Sequence, residues 1–239
     1  MIDPLIANLR ARDVVSAREV ELLRSIIVRE RRFGIDEDLV TEGSRPTYST
    51  LLLDGFAARY RIVDDGRRQI TALHIAGDFV DLHAFPLKKM DHGIVALTPC
   101  HVALADHSEL KKMTETEPHL TRLLWLLTLV DGAIHREWIV AMGRRSKVSQ
   151  IAHIFCELLA RLEVIGRVKD GTFALPLTQQ ELADTLGMSL VHLNKSLKLL
   201  HNQNTVKWTQ QAVKVIDMER LARTAEFDPG YLNLHVEPR

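Results

Sequence analysis

Two cysteines in 239 residues, Cys100 and Cys156, leave no paired spacing for a disulfide framework and suit a reducing cytosol. Long apolar runs are missing too. The longest, around residues 123–130, is far too short to span a bilayer, and no apolar segment precedes a small-residue cleavage site near the N-terminus. The expectation is a soluble, cytoplasmic protein without a membrane partner. Net charge is also absent, with 31 Lys/Arg against 31 Asp/Glu, which argues against a generally basic nucleic-acid coat. There is no Gly-rich phosphate loop, nucleophile elbow or pair of acid/base carboxylates, so neither catalysis nor a cofactor is expected. Internal repeats and low-complexity tracts are lacking as well.

Apolar material is plentiful, at 46% of residues, and the length accommodates two domains. Charge is unevenly spread: residues 1–143 hold 18 Lys/Arg against 21 Asp/Glu, and residues 144–239 hold 13 against 10. The C-terminal part is therefore mildly basic, as an approach to phosphate requires.

Ser16-Ala-Arg-Glu19 is a capping-box pattern that starts a helix, and Val20, Leu23 and Ile27 follow at helical spacing. From about Phe33 to Asp106 short apolar runs alternate with turn signals. Leu51-Leu52-Leu53 precedes Asp54-Gly55, residues 58–63 precede Asp64-Asp65-Gly66, and residues 70–75 precede Ala76-Gly77-Asp78. Residues 94–97 precede Thr98-Pro99, and residues 101–105 follow. Strands at that spacing predict an antiparallel barrel or sandwich. Ser108 is placed to cap a short helix, and Pro118 stands in the first turn of a long one.

Along that long helix Leu120, Leu123, Leu127, Val130, Ile134 and Ala141 fall at three- and four-residue steps, interrupted by Glu137. Such a seam suits a partner helix, and it is read as the dimer interface. Leu124, Leu126, Leu129 and Trp138 make the helix apolar on more than one face. Gly143-Arg144-Arg145-Ser146 reads as a hinge with an N-cap. Val148, Ile151, Ile154, Phe155, Leu158, Leu159 and Leu162 then mark another amphipathic helix.

The most specific segment runs from Leu177 to Leu200. Thr178 to Glu181 is a second capping box, with Leu182, Ala183 and Leu186 as the inner face of its helix. Gly187 ends the helix, Ser189 caps the next, and Leu193, Leu197 and Leu200 form the buried stripe of that second helix. This is the grammar of a helix-turn-helix. Ser189, Val191, His192, Asn194, Lys195 and Lys198 occupy the opposite face, where Asn pairs with adenine and Lys with guanine. Thr178 and Gln179 complete the candidate DNA-binding set. Two short apolar strands at 205–208 and 212–216 look like a wing, with Lys207, Gln210 and Gln211 near backbone phosphates and Trp208 packed inside.

Taken in order, these elements resemble the Crp–Fnr family of transcription regulators over nearly the whole chain. Gly55, Gly66 and Gly77 fall where that family's roll turns lie. Gly77-Asp78-Phe79 looks like its Gly-Asp-Phe turn, and Thr98-Pro99-Cys100 resembles the strand entering the last roll turn. Leu177-Thr-Gln-Gln-Glu-Leu-Ala-Asp184 with Gly187-Met-Ser189 is similar to its DNA motif. The fold class implied is α+β: an N-terminal cyclic-nucleotide-binding-like β-roll over residues 1–116, a dimerisation helix and hinge over 117–145, and a C-terminal winged helix-turn-helix over 146–239. The resemblance further implies a homodimer on an inverted-repeat operator in double-stranded DNA, with RNA polymerase as another partner.

The departures are specific. Members that bind cyclic nucleotides carry Gly-Glu just after Gly-Asp-Phe, and Arg-Ser or Arg-Ala about ten residues on. Here those positions read Asp81-Leu82-His83 and Met90-Asp91-His92, with Lys88 and Lys89 nearby. Tight binding of cyclic AMP is therefore not expected. Nor is a cluster, since two distant thiols cannot supply four ligands. His74, His83, His92 and His101 fall in the roll without a compact ligand motif, so no metal site is assigned. A small-molecule effector remains open, with Asp81, His83, His92, His135 and Arg136 as the candidate pocket. The alternatives are a cyclic-nucleotide- or haem-responsive regulator of the same family, and a small-barrel metal enzyme fused to a helical domain.

Overall fold

Period-two alternation decides which core each roll side chain enters. In a computed structural model, which describes residues 2–209 and 211–239, the chain forms two compact units. The first takes in residues up to Ile62, Thr71–Gly132 and Leu234–Arg239; the second takes in Val63–Ile70 and Ala133–Asn233.

The elements of the roll come in the order α1 (Asp3–Arg10), α2 (Ala17–Ser25), β1 (Ile27–Phe33), β2 (Asp38–Val40), β3 (Tyr48–Asp54), β4 (Ala57–Ile62), β5 (Arg68–His74), α3 (Ala84–Leu87), β6 (Gly93–Ala96), β7 (Cys100–Asp106) and α4 (His107–Thr116). The strands form two antiparallel sheets, β1-β7-β3 and β2-β6-β4-β5. Strands β3 and β7 pair through Leu51↔Ala103 and Leu52↔Val102. Successive side chains point to opposite faces. Leu51, Leu53, Ala103 and Ala105 thus join a core with α1, α2 and the start of the long helix, while Leu52, Val102 and Leu104 fill the roll interior with Ile94 and Val80. Each fully buried leucine contributes about 1.5–3 kcal/mol. Gly77, at φ +93, is held against α1: a Cβ there would lie 2.8 Å from the Pro4 carbonyl carbon.

The Ser16 capping box forms as expected, with both reciprocal bonds present. Its helix ends at Ser25, so Ile27 opens β1 instead of extending a helical stripe. Asp106, not Ser108, caps α4, its carboxylate accepting the Ser108 N–H at 2.7 Å. The carboxylate sits two residues before the hydroxyl, at the N-cap position from which a side chain reaches the orphan N–H groups of the first turn.

The long helix is α5 (Pro118–Arg144), followed by α6 (Lys147–Val164), β8 (Val168–Lys169), β9 (Thr172–Ala174), α7 (Gln179–Leu186), α8 (Leu190–Asn202), β10 (Val206–Trp208), β11 (Ala212–Val215) and α9 (Met218–Ala225). Ser146 caps α6, so the break after α5 falls where the sequence placed it. The four-stranded sheet β10-β11-β9-β8 backs the second unit. Among the described residues no helix is long and apolar enough to cross a membrane.

The centre of the second unit is a buried charge network. Glu157 is wholly buried and accepts from Trp138 Nε1 at 2.9 Å, Tyr231 Oη at 3.0 Å and Arg161 Nη1 at 3.1 Å. Burial pushes its carboxyl above the usual range, opposed by the Arg161 charge. Pairing of this kind is what makes a buried carboxylate tolerable.

Candidate nucleic-acid interface and roll pocket

Two caps and one left-handed residue set the geometry of the helix pair α7–α8. The Thr178 hydroxyl accepts the Glu181 N–H while the Glu181 carboxylate accepts the Thr178 N–H at 2.7 Å. Gly187 adopts φ +57, a conformation that strains other residues, and turns the chain between the helices. Ser189 then caps α8. Leu182, Ala183, Leu186, Leu193 and Leu200 are buried behind, and Leu197 is half-buried. The hairpin tip before β5 and the first residues of β5 fold with this unit: Gln69 Nε2 donates to the Asp184 carbonyl at 2.7 Å, and Arg68 pairs with the Asp184 carboxylate at 3.2 Å. A carbonyl in the last turn of α7 gains a partner in this way.

The opposite edge of α8 is open. Ser189, Val191, His192, Asn194, Lys195 and Lys198 are all exposed, as is Thr178, while Gln179 is half-buried. His192 Nδ1 lies 3.0 Å from the Ser189 hydroxyl. Asn194, Lys195 and Lys198 make no hydrogen bond or ion pair among the described residues. A groove beside this edge is lined by Gln179, Asn194, Lys198, Trp208 and Thr209. Across β10–β11, Lys207 stands opposite Lys214, both exposed, and Gln211 is exposed as well. Gln210 lies outside the described residues. Trp208 packs inward, donating to the Leu175 carbonyl at 3.2 Å with its ring 6.4 Å from Phe155.

The expected dimer seam needs correction. Leu120, Leu123, Val130, Ile134 and Ala141 are buried within the single chain, and Leu127 packs against the roll core. They lie on the inner face of α5, because the heptad-like steps serve its own cores. The unpartnered apolar face is a different one. Trp125 is 64% exposed, Leu129 53% and Ile139 65%, with Val140 also exposed and Gly132 and Arg136 between. Positions 125, 129, 132, 136 and 139 repeat the three–four step on the other side of the helix.

In the roll the predicted pocket residues separate. Asp81 is fully buried, and both its oxygens serve Thr50: one accepts the backbone N–H, the other the hydroxyl at 3.1 Å. Burial pushes its carboxyl up to about 7, against the pull of those hydrogen bonds. It is thus committed to packing β3. His135 and Arg136 belong to the second unit.

His83 and His92 do come together, with ring centroids 5.0 Å apart. His83 stands at the start of α3, and His92 immediately precedes β6. The loop between them is pinned. Met90 is buried and exchanges backbone hydrogen bonds with Gly43 and Ser44, and Arg61 donates to the Asp91 carbonyl at 2.6 Å. Asp91 Oδ1 lies 2.7 Å from His92 Nδ1. Arg59 on β4 pairs with Asp131 at 2.9 Å. Burial, then the Arg59 charge, pushes His83 down to about 4 and also lowers His92. Sequence reasoning named both histidines but missed their pairing and the part of Asp91, because the contact is made across α3 and the loop that follows it, where no spacing rule applies.

The other roll histidines have structural partners: His101 meets Glu30 at 2.6 Å, and His74 faces Asp78. Both thiols are core groups. Burial pushes Cys100 up to about 11 and Cys156 up to about 12, so neither is a reactive thiolate.

An antiparallel roll, a long helix and a capped helix pair with a β-wing define a two-part regulator, with a cyclic-nucleotide-binding type of roll joined to a DNA-binding winged helix. Known proteins agree. Residues 30–117 match the cyclic nucleotide-binding domain family, and residues 149–224 match the Crp-like helix-turn-helix domain family. The chain is 25% identical over 203 residues to the transcriptional activator protein FnrL of Cereibacter sphaeroides, covering 83% of this chain and 81% of that one. It is 26% identical over 214 residues to the nitrogen fixation regulation protein FixK of Bradyrhizobium diazoefficiens, covering 89% and 87%. The solved structure of FixK2 from Bradyrhizobium japonicum shares the fold, with a TM-score of 0.71, 23% identity and coverage of 82% of this chain and 96% of that one. The chain belongs to the Crp–Fnr family of transcription regulators, whose members bind DNA and are not enzymes.

Proposed function

We propose that this regulator acts as a cytoplasmic homodimer on an inverted-repeat operator, with half-sites about one helical turn, ~34–36 Å, apart. The observation that carries this reading is the exposed, unpartnered edge of α8. Asn194 and Lys195 read base edges in the major groove, with Ser189, Val191 and His192 beside them. Thr178, Gln179, Lys198 and the wing lysines hold backbone phosphates. The two copies meet along the outer face of α5, through Trp125, Leu129, Ile139 and Val140. RNA polymerase is the protein partner, since the relative FnrL is named an activator. Residues 1–116 serve as a sensory module, residues 117–145 as the dimerisation helix and hinge, and residues 146–239 as the DNA-binding domain.

The roll does not respond to cyclic AMP. Both oxygens of Asp81 already serve Thr50, and Asp91 brings negative charge to where a cyclic phosphate would need a cation. Calorimetry with cyclic AMP is expected to show millimolar binding or none.

The decisive experiment is selection of bound DNA from a random pool at a stated salt concentration. A palindromic consensus is expected, with a stoichiometry of two chains per site. Binding without sequence preference would overturn the reading.

A further inference from the structure

We propose that His83, His92 and Asp91 form a binding site for one first-row transition-metal dication in the roll. The strongest reason is that the Nε2 atoms of both His83 and His92 are buried and have no hydrogen-bond partner. His92 is itself only 7% exposed. A buried polar atom without a partner destabilises the fold, because it has lost water and gained nothing in exchange. Here two of them belong to one pair of adjacent rings. A single ligand that accepts lone pairs from both removes the penalty at both.

The protonation pattern agrees. Asp91 Oδ1 faces His92 Nδ1, so the ring proton sits on Nδ1 and Nε2 carries the lone pair. Carboxylate, imidazole and metal in that order is the usual way a metal-binding histidine is oriented. One ligand atom from each of His83, Asp91 and His92 lies within 4.8 Å of the other two, and no other group of three His, Cys, Asp or Glu side chains among the described residues is so placed. Metal–nitrogen bonds of about 2.0–2.1 Å need a somewhat tighter cluster, which side-chain rotation supplies.

Charge selects the kind of ion. Arg59 faces both rings and repels cations, but Asp131 at 2.9 Å offsets it, and Asp91 leaves the surroundings net negative. Two imidazoles and at most one carboxylate are a poor cage for magnesium or calcium, which need oxygen ligands. They suit zinc, nickel, copper or ferrous iron. Two imidazole ligands, with Asp91 orienting His92 from behind, leave coordination positions open to water or a small molecule. Bound metal would tie the start of α3 to the lead-in of β6. The proposal rests on the sensory reading of the roll and supplies its ligand class.

The test uses untagged, chelator-stripped full-length protein. Zinc binding is read by competition with a chromophoric chelator, and cobalt(II) is the spectroscopic probe. One equivalent per chain is expected, with the intense visible bands of an imidazole-bound cobalt ion. His83→Ala or His92→Ala should weaken binding at least about tenfold, and Asp91→Asn about 10–100-fold. His101→Ala should leave it unchanged. If a histidine variant does not fold, Asp91→Asn carries the same comparison, since Asp91 is exposed. Zinc binding no tighter than that of the His83→Ala/His92→Ala double variant overturns the site. Operator binding is measured on the same samples. Failure of the unsubstituted protein to bind metal, with intact operator recognition, would reject the site alone, and metal binding without operator recognition would reject the DNA reading alone.

Discussion

The edge of α8 and the centre of the roll both hold polar atoms without partners in the chain, but one set is wet and the other dry. Lys195 and Lys198 point into solvent, so water satisfies them until a duplex replaces it. His83 and His92 have their Nε2 atoms sealed inside. An exposed unpaired group costs nothing in the free protein and says only that a surface is available. A buried one raises the free energy of the fold and calls for a specific partner.

The same distinction divides the two apolar faces of α5, and it yields the largest expected effect. Trp125→Glu combined with Ile139→Glu should leave each chain folded but abolish the dimer, lowering operator affinity more than hundredfold. Each apolar side chain removed from a buried interface forfeits about 1.5–3 kcal/mol. Sedimentation and circular dichroism distinguish this from misfolding. By contrast, Leu123→Glu should unfold the roll, because Leu123 is fully buried within one chain. A folded, dimeric Trp125→Glu/Ile139→Glu variant would put the interface elsewhere.

On the wet side, Lys195→Ala should weaken operator binding by roughly 1–3 kcal/mol and relax preference at one symmetric pair of base positions. Lys207→Ala should instead weaken all sequences alike and lower the salt dependence by about one unit of slope per chain. Competition binding at several salt concentrations separates them. If Lys195→Ala proved sequence-neutral, the edge would hold phosphate rather than read bases.

How much of this was legible in the sequence follows the same line between local and non-local signals. Thr178, Gly187 and Ser189 act within three or four residues of themselves, so the helix pair could be read directly. The seam on α5 could not be assigned. Periodicity shows that Leu120 and Leu123 share a face, but not whether that face meets the chain's own core or another copy. Strand β1 escaped notice because an edge strand reading Ile-Val-Arg-Glu-Arg-Arg-Phe is largely exposed and lacks alternation. The short strands β8 and β9 offer only two and three residues of pattern. The His83–His92 pair depends on how the loop around Met90 is plugged into the roll, which no spacing rule records.

Smaller effects follow at the turn. Gly187→Ala should cost about 1–2 kcal/mol, because a Cβ is disfavoured at φ +57. Thermal denaturation would measure it. Gly77→Ala should cost more, since it adds a collision with the Pro4 backbone to an unfavourable φ. Equal costs at the two positions would show that the chain near Pro4 gives way.

The subtlest prediction contrasts two histidines whose surroundings shift them in opposite directions. In the first unit, His119 Nδ1 meets Glu19 at 2.5 Å and Nε2 meets Asp13 at 3.3 Å. Hydrogen bonding to Glu19 raises the His119 pKa above 6.5, and Asp13 adds to the shift. Glu19 is itself held down to about 2, the bonds from His119 and Ser16 outweighing its partial burial. In the second unit His153 is buried beside Arg145, at 2.9 Å, and Tyr231, at 3.1 Å, with Glu157 just beyond. Burial, then the Arg145 charge, pushes His153 down to about 4. The signs therefore oppose. The His119 contribution is fully present below pH 6.5 and fades as pH rises through its raised pKa; the His153 contribution is present above 6.5 and is lost as pH falls toward 4. His119 is about a quarter exposed, so solvent screening keeps its share small. NMR titration of the individual imidazoles should find His119 charged at pH 6.5 and His153 neutral down to pH 5. If both titrated near 6.5, the ion cluster and the buried network would both be looser than their hydrogen bonds indicate.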